Sequence, residues 1–225
     1  MIPIRDTIKT KTFPFVNYLI ILACGLVFLY ELSLGERIEP FIRRMGVTPS
    51  SVSATLFHGR FVAAPALSLL SSMFLHGGWL HLLGNMLYLY IFGDNVEDRI
   101  GHGAYLLFYL LCGVSSALCE VYFQQDSTAP LIGASGAIAG VLGAYFLLYP
   151  RARVLTIIPL FVFFPVFEIP AFFFLGFWFL MQFVQGAVSS AAGGTASGGV
   201  AWWAHAGGFV VGAVLLPLFL IARRR

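Results

Sequence analysis

Six long apolar stretches constrain this chain more than any other feature. Each approaches or exceeds the length that a helix needs to cross the hydrocarbon core of a membrane, about 17–25 residues. Only 10% of the residues are charged and the mean hydropathy is +0.89, whereas a soluble domain has about 25% charged residues. The sequence therefore predicts an integral, multi-pass, all-α membrane protein with one helical domain over residues 1–225. The predicted spans lie at approximately residues 15–34, 67–92, 104–123, 133–149, 169–188 and 200–222.

The basic residues indicate how these spans are oriented. With six spans both termini lie on one side of the membrane, and that side carries Arg5, Lys9, Lys11, Arg99, Arg151, Arg153 and Arg223 to Arg225. The other side carries Arg37, Arg43, Arg44 and Arg60. Because cytoplasmic loops are enriched in Lys and Arg, we expect both termini in the cytoplasm. The net charge of +3 follows from this bias and does not indicate a nucleic-acid partner.

Three segments between the spans have distinct compositions. Gly35–Ala66 mixes charged, proline and apolar residues, which suggests a structured element in the membrane interface. Val154–Phe167 is apolar but interrupted by Pro159 and Pro165, so we expect an interfacial or re-entrant piece. Ser189–Gly199 is rich in Ser, Ala and Gly and is expected to be a mobile outer loop.

Polar residues in three of the spans fall at one predicted depth. Spans two, four and six all run from outside to inside, and a helix rises about 1.5 Å per residue. His81 then lies roughly 20 Å, Ser135 roughly 24 Å and His205 roughly 27 Å above the inner end of its span, in a core of about 30 Å. All three side chains are therefore expected in the outer half of the membrane, within several ångströms of one another.

Small residues spaced four apart accompany two of these polar residues. One ridge lies beside Ser135 and the other beside His205; they consist of Gly136, Gly140 and Ala144, and of Ala204, Gly208 and Gly212. Such ridges let membrane helices approach backbone to backbone. A histidine reaches a serine hydroxyl, at about 2.6–3.2 Å, only if its helix comes that close.

These residue types suit nucleophilic catalysis of acyl transfer. Ser135 is the candidate nucleophile and His205 the candidate general base, which later protonates the leaving amine. No Asp or Glu lies in span six, so a dyad is expected. His81 and Asn85, one helical turn apart, are candidate oxyanion donors beside the Ser135 backbone N–H. The sequence has no His-Glu-x-x-His zinc helix and no mid-span aspartate pair, so we expect no metal and no cofactor.

With these motifs in this order, the chain resembles the rhomboid family of intramembrane serine proteases, of the bacterial type. The resemblance rests on His81-Leu82-Leu83-Gly84-Asn85, on Gly133-Ala134-Ser135-Gly136, and on Ala204-His205 followed by Gly208 and Gly212. It implies a six-helix bundle in the lipid bilayer, with a water-filled cavity open to the outer side. It also implies that the Ser135–His205 dyad cleaves transmembrane segments of other proteins. We expect the membrane to be a bacterial cytoplasmic membrane, and span five with the following loop to control substrate access.

Two positions depart from the family pattern. Many relatives carry an aromatic residue four positions after the nucleophile, against the base histidine, and this chain has Ala139 there. Trp202 or Trp203 is a candidate to support His205 instead. The Trp-Arg pair that some relatives carry in the first outer loop is also missing from this sequence.

Two other classes of function stay open from the residues alone. A catalytically silent rhomboid-like protein would bind or escort membrane helices, but such proteins typically lack the serine or the histidine. A transporter with a histidine-lined proton path should carry charged residues in mid-span, and this sequence has few.

Overall fold

The computed structural model describes residues 1–58, 64–191 and 200–223, and most of this part of the chain is helical. The helices are α1 Phe15–Ser33, α2 Ile38–Met45, α3 Pro49–His58, α4 Ala64–Ser71, α5 Trp79–Tyr88, α6 Asp94–Ile100, α7 His102–Phe123, α8 Ser135–Leu148, α9 Ala171–Ala191 and α10 Trp202–Arg223. Within the described residues, α1, α7, α9 and α10 are long and apolar enough to cross a membrane, and α8 is a shorter apolar helix. The count of six spans and the cytoplasmic termini stay predictions.

Part of the predicted mobile loop and some of the basic residues counted for the orientation lie outside the described residues. Of Ser189–Gly199, residues 189–191 form the end of α9, while residues 192–199 lie outside the described residues. Three of the basic residues on which the predicted orientation rests also lie outside the described residues: Arg60, Arg224 and Arg225.

Helix α8 is the centre of the bundle. Ten consecutive residues, Gly136–Tyr145, are buried, and they form much of the main core cluster together with residues of α7, α9 and α10. A helix that is apolar all round is expected to be buried on every side. The surrounding helices instead expose apolar side chains outward, such as Phe173 on α9 and Val214 on α10, as lipid contact requires.

Helices α8 and α10 touch backbone to backbone along the predicted small-residue ridges. A Cβ atom added to Gly208 would lie 2.2 Å from the carbonyl oxygen of Gly136, and one added to Gly212 would lie 1.9 Å from that of Gly140. From the other helix, a Cβ on Gly143 would lie 2.0 Å from the carbonyl oxygen of Phe209. Real side-chain atoms do not approach a carbonyl this closely, so the crossing requires glycine at these positions. The close approach predicted from the sequence is confirmed.

The predicted second span, residues 67–92, is not one helix. The structure has α4, an extended segment that ends at Gly78 with φ at 156°, and then continuous helix from Trp79 to Ile100 with one π-helical turn. Two features explain the break. The Gly77-Gly78 pair favours extended and left-handed backbone, and the Glu31 carboxylate of α1 accepts the backbone N–H of His76 at 3.1 Å. The long helix of this segment therefore begins at Trp79, about twelve residues after the predicted start of the span.

A three-stranded antiparallel sheet departs from the predicted all-α class. Its order is β1–β2–β3, with β1 Ile2–Asp6, β2 Arg153–Ile157 and β3 Val166–Pro170. Part of the amino-terminal segment before α1 thus forms a strand, and the predicted interfacial or re-entrant piece, Val154–Phe167, forms most of a β-hairpin. Its two proline residues lie in the connection between β2 and β3, where no ladder hydrogen bond is needed. The pairing of β1 with β2 joins segments about 150 residues apart, which local sequence patterns do not reveal.

Buried carboxylates bind this sheet and the helix ends together. Asp6 of β1 accepts hydrogen bonds from Asn95 of α6, at 3.0 Å, and from the Tyr145 hydroxyl of α8. Burial raises the pKa of the Asp6 carboxyl, and the hydrogen bond from Tyr145 opposes that shift. Glu97 of α6 accepts the backbone N–H groups of Val16 and Asn17 at 2.9 and 2.7 Å. It thereby satisfies donors in the first turn of α1 that have no partner within their own helix.

The crossing of α8 and α10 yields a test of stability. Gly212→Ala would place a methyl group against the Gly140 backbone, which cannot rotate away, so the helices must separate. We expect a loss of about 1–3 kcal/mol in the free energy of unfolding, measured as a lower Tm in detergent. Gly25→Ala in α1, where a Cβ meets no atom within 4 Å, is the matched control and should keep or raise the Tm. Equal Tm values for both variants would contradict the proposed role of the crossing.

Candidate active site

Ser135 and His205 lie within hydrogen-bond distance at the α8–α10 crossing. Ser135 is the first residue of α8, and His205 lies in the first turn of α10. The Oγ atom of Ser135 is 2.8 Å from Nε2 of His205, and both side chains are half-buried. The distance is within the range that a nucleophile and its general base need. The glycine contacts described above bring the two helices close enough for this pair to form.

Gln182 of α9 holds the other nitrogen of the same imidazole ring. Its Oε1 lies 2.8 Å from Nδ1 of His205, and the glutamine is only 8% exposed. Because an amide oxygen can only accept a hydrogen bond, Nδ1 carries the proton and Nε2 presents its lone pair to Ser135. The contact is an interhelical hydrogen bond between α9 and α10, and the sequence alone gives no sign that His205 is the partner of Gln182.

Tryptophan rings border His205 without replacing that hydrogen bond. The Trp178 and Trp202 rings lie 6.0 and 6.5 Å from the imidazole, centroid to centroid. Trp203 instead stacks on Phe123 at 4.0 Å and donates its indole N–H to Ser190 at 2.9 Å. Of the two tryptophans considered as support for His205, only Trp202 contacts it, and the polar support comes from Gln182.

His81 and Asn85 of α5 lie against the backbone just before Ser135. A Cβ atom at Gly133 would lie 2.7 Å from Nε2 of His81 and 3.7 Å from Nδ2 of Asn85, and Gly133 has a positive φ of 122°. Only glycine fits this position, for both steric and conformational reasons. The structure thus places all four predicted site residues around the start of α8.

His81 and Asn85 each have a hydrogen-bond donor next to the backbone of Gly133. The backbone N–H of Gly77 donates to Nδ1 of His81 at 3.3 Å, so the proton of a neutral ring lies on Nε2, which faces Gly133. The Nδ2 group of Asn85 is buried and has no hydrogen-bond partner among the described residues. Buried donors without a partner are uncommon and call for an explanation. This donor and the Nε2–H of His81, both next to Gly133, suit an oxygen that becomes negatively charged.

Glu120 of α7 caps the helix that carries His205. Its Oε2 accepts the backbone N–H of Ala204 at 2.8 Å, and its side chain is 9% exposed. This satisfies an N–H of the first turn of α10, where the helix offers no acceptor. The contact gives this carboxylate a structural role at the start of α10.

We expect this cap to stabilise the protein measurably. Glu120→Leu leaves the Ala204 N–H buried without an acceptor, which should cost about 1–3 kcal/mol and lower the Tm in detergent. Glu120→Gln keeps an acceptor oxygen at nearly the same place and should lose much less. Equal Tm values for the wild type and Glu120→Leu would contradict this role for the carboxylate.

These features together define an integral, multi-pass membrane protein with a Ser–His pair at the crossing of two helices. The Rhomboid domain family matches residues 64–222 of the chain. The chain therefore belongs to the rhomboid family, and the resemblance seen in its motifs is confirmed.

Individual relatives agree with this assignment. The chain is 30% identical to "Rhomboid protein 1, mitochondrial" of Saccharomyces cerevisiae over 151 residues, which are 65% of this chain and 40% of that protein. It is 43% identical to "Rhomboid protease GluP" of Bacillus subtilis over 76 residues, 34% of this chain and 14% of that protein. It is 41% identical to "RHOMBOID-like protein 2" of Arabidopsis thaliana over 73 residues, 32% of this chain and 22% of that protein.

The compared regions are only part of each relative. The chain matches two fifths or less of the length of these proteins. They come from a yeast, a bacterium and a plant, so the comparisons do not favour the bacterial cytoplasmic membrane that was expected from the sequence.

Proposed function

We propose that this chain is an intramembrane serine endopeptidase that hydrolyses a peptide bond in or near the transmembrane segment of a substrate protein. The single observation that carries the proposal is the 2.8 Å contact between Ser135 Oγ and His205 Nε2. It joins two helix starts that are 70 residues apart in the sequence. Helix packing alone does not require the unprotonated nitrogen of the histidine to face the serine hydroxyl, whereas proton transfer from serine to histidine does.

The proposed reaction begins with proton transfer within this pair. His205 takes the Ser135 proton at Nε2 as Oγ attacks the scissile carbonyl carbon, and it then donates that proton to the leaving amine. Gln182 keeps the ring in the tautomer that this step needs. Because the amide is neutral, it orients the imidazolium but stabilises its charge less than a carboxylate would. The pair therefore acts as a dyad with a positioning residue.

The oxyanion of the tetrahedral intermediate is proposed to form beside the Gly133 backbone. His81 Nε2–H and Asn85 Nδ2–H are donors from α5, and the backbone N–H of Ser135, at the first position of α8, is a third. Loss of one donor of this kind typically lowers the rate by about 10²–10³. Hydrolysis of the acyl-enzyme needs water close by, and a cavity of about 20 Å³ borders both Ser135 and Gly133, which is enough for one water molecule.

The location in the membrane is the reason to propose membrane-spanning substrates. Both catalytic residues lie at the starts of helices whose remaining length is apolar, so a substrate must come to them within the bilayer. With both termini in the cytoplasm, the dyad lies in the outer half of the membrane and opens to the outer side. We retain the bacterial cytoplasmic membrane as part of the proposal, together with lipid bilayer contact and reaction without metal or cofactor.

Substitution of the dyad tests the proposal. Purified wild type, Ser135→Ala and His205→Ala are incubated in detergent with a transmembrane substrate protein, and cleavage is followed by gel electrophoresis. We expect cleavage by the wild type only, and labelling of Ser135 by a fluorophosphonate probe that Ser135→Ala abolishes. Each variant removes a side chain at a half-buried position, so its Tm is compared with that of the wild type. Cleavage by all three proteins would refute the role of the dyad. A folded wild type that neither cleaves the substrate nor is labelled by the probe would favour a silent rhomboid-like protein.

Gln182 provides a second test, of positioning rather than chemistry. In Gln182→Leu the imidazole loses its acceptor at Nδ1, so the ring is free to rotate and to change tautomer. We expect kcat to fall about tenfold to a hundredfold, as for loss of a buried hydrogen bond of about 1–3 kcal/mol, with KM nearly unchanged. Gln185→Leu, the same change at an exposed site three residues later on α9, is the control and should keep kcat. A change in KM alone would assign Gln182 to substrate binding instead.

A further inference from the structure

A basic pocket lies at the end of the bundle opposite the Ser–His pair. Its volume is about 710 Å³, within the usual range of about 300–1,000 Å³ for ligand pockets. Four cationic side chains line it: Lys9, Lys11, Arg99 and Arg223. They come from the segment between β1 and α1, from the end of α6 and from the end of α10, so the fold brings together charges that are far apart in the sequence.

The charges in this pocket are not balanced by the protein. Asp98 is the acidic residue among the lining residues, and its Oδ1 already accepts the Thr12 backbone N–H at 2.9 Å and the Thr12 hydroxyl at 2.7 Å. Within the described part of the chain, none of the four cations forms a salt bridge. Arg223 donates to the backbone carbonyl oxygen of Asp98. Four positive charges thus face one carboxylate, which is hydrogen-bonded to Thr12 within the pocket. An anion that binds here would be attracted by these four cationic side chains.

An apolar wall completes the pocket. Ile8, Leu148 and Leu220 line it beside the charges, and Leu148 and Leu220 belong to the last turns of α8 and α10. With the spans placed in the membrane as predicted from the sequence, these helices would end at its surface, with the wall directed toward the hydrocarbon and the cations at head-group level. A small soluble anion has no apolar part that would pack against this wall. A phospholipid presents a phosphate and an acyl chain in this same arrangement.

We propose that this pocket binds the phosphate of an anionic phospholipid in the leaflet that contains the chain termini. Basic pockets between membrane helices on that side are a recognised form of lipid site. Bound lipid would connect the lysines that precede α1 with the arginine that ends α10, and so fix the amino-terminal segment against the bundle. The proposal does not depend on catalysis, because the pocket and the Ser–His pair share no residue.

Lipid binding to the purified full chain in detergent tests the proposal. Dioctanoyl phosphatidylglycerol, dioctanoyl phosphatidylcholine and inorganic phosphate are titrated separately, and native mass spectrometry counts bound molecules. The Tm is recorded in parallel, because a ligand that binds only the folded state raises it. We expect phosphatidylglycerol to bind and to raise the Tm, and the other two to bind much more weakly.

The decisive variants change charge at exposed positions. Lys9→Gln with Lys11→Gln should weaken phosphatidylglycerol binding about 30-fold, since each basic residue near an anionic lipid surface contributes about fivefold. Arg5→Gln with Arg153→Gln removes the same charge from the neighbouring sheet, outside the pocket, and should change binding less than twofold. The Tm without lipid should be the same for both double variants.

Several outcomes would overturn the proposal. Equal binding of inorganic phosphate would make the pocket a general anion site, and equal binding of phosphatidylcholine would reduce the contact to the apolar wall. If the two double variants weaken binding equally, the effect is that of surface charge and not of this pocket. Unchanged binding in Lys9→Gln with Lys11→Gln would remove the pocket from lipid binding altogether.

Discussion

The contact of the α8 and α10 backbones is the constraint on which the rest of the structure depends. Gly208 and Gly212 approach the carbonyl oxygens of Gly136 and Gly140 more closely than any side chain would permit. In lipid, where apolar side chains gain little by leaving the solvent, such close packing is a main source of helix association. The same approach fixes the distance between Ser135 and His205, so the packing that stabilises the bundle also forms the candidate site.

Helices outside this pair hold each polar group of the site in place. Gln182 of α9 accepts a hydrogen bond from Nδ1 of the His205 ring, and Glu120 of α7 caps the first turn of α10, which contains His205. On the other side, the break before α5 lets the Gly77 backbone fix the tautomer of His81. His205 consequently presents a lone pair to Ser135, and His81 presents an N–H to the backbone at Gly133, two residues earlier. Hydrogen bonds from α7 and α9 therefore position His205 and its helix, while the Gly77 N–H positions His81.

The sequence predicts the parts of this arrangement that are periodic or local. Glycine spacing predicts the contact between α8 and α10, and helical rise predicts that Ser135, His205 and His81 lie near one another. The extended break before α5 was missed, because hydropathy treats Gly77 and Gly78 as part of one apolar run. The sheet was missed because β1 and β2 pair across most of the chain. The partnership of Gln182 with His205 depends on the rotation of α9, and a lone glutamine in a Phe-rich span does not encode it.

The carboxylate caps of α1 and α10 imply an order of events during synthesis. The chain inserts from its amino terminus, so when α10 emerges, Glu120 is already present on α7 to receive the Ala204 N–H. The order is reversed for helix α1. The Val16 and Asn17 N–H groups have no carboxylate acceptor until Glu97, about 80 residues later, has been translated. The cap of α1 therefore forms late in synthesis, whereas the cap of α10 can form as soon as α10 has been synthesised.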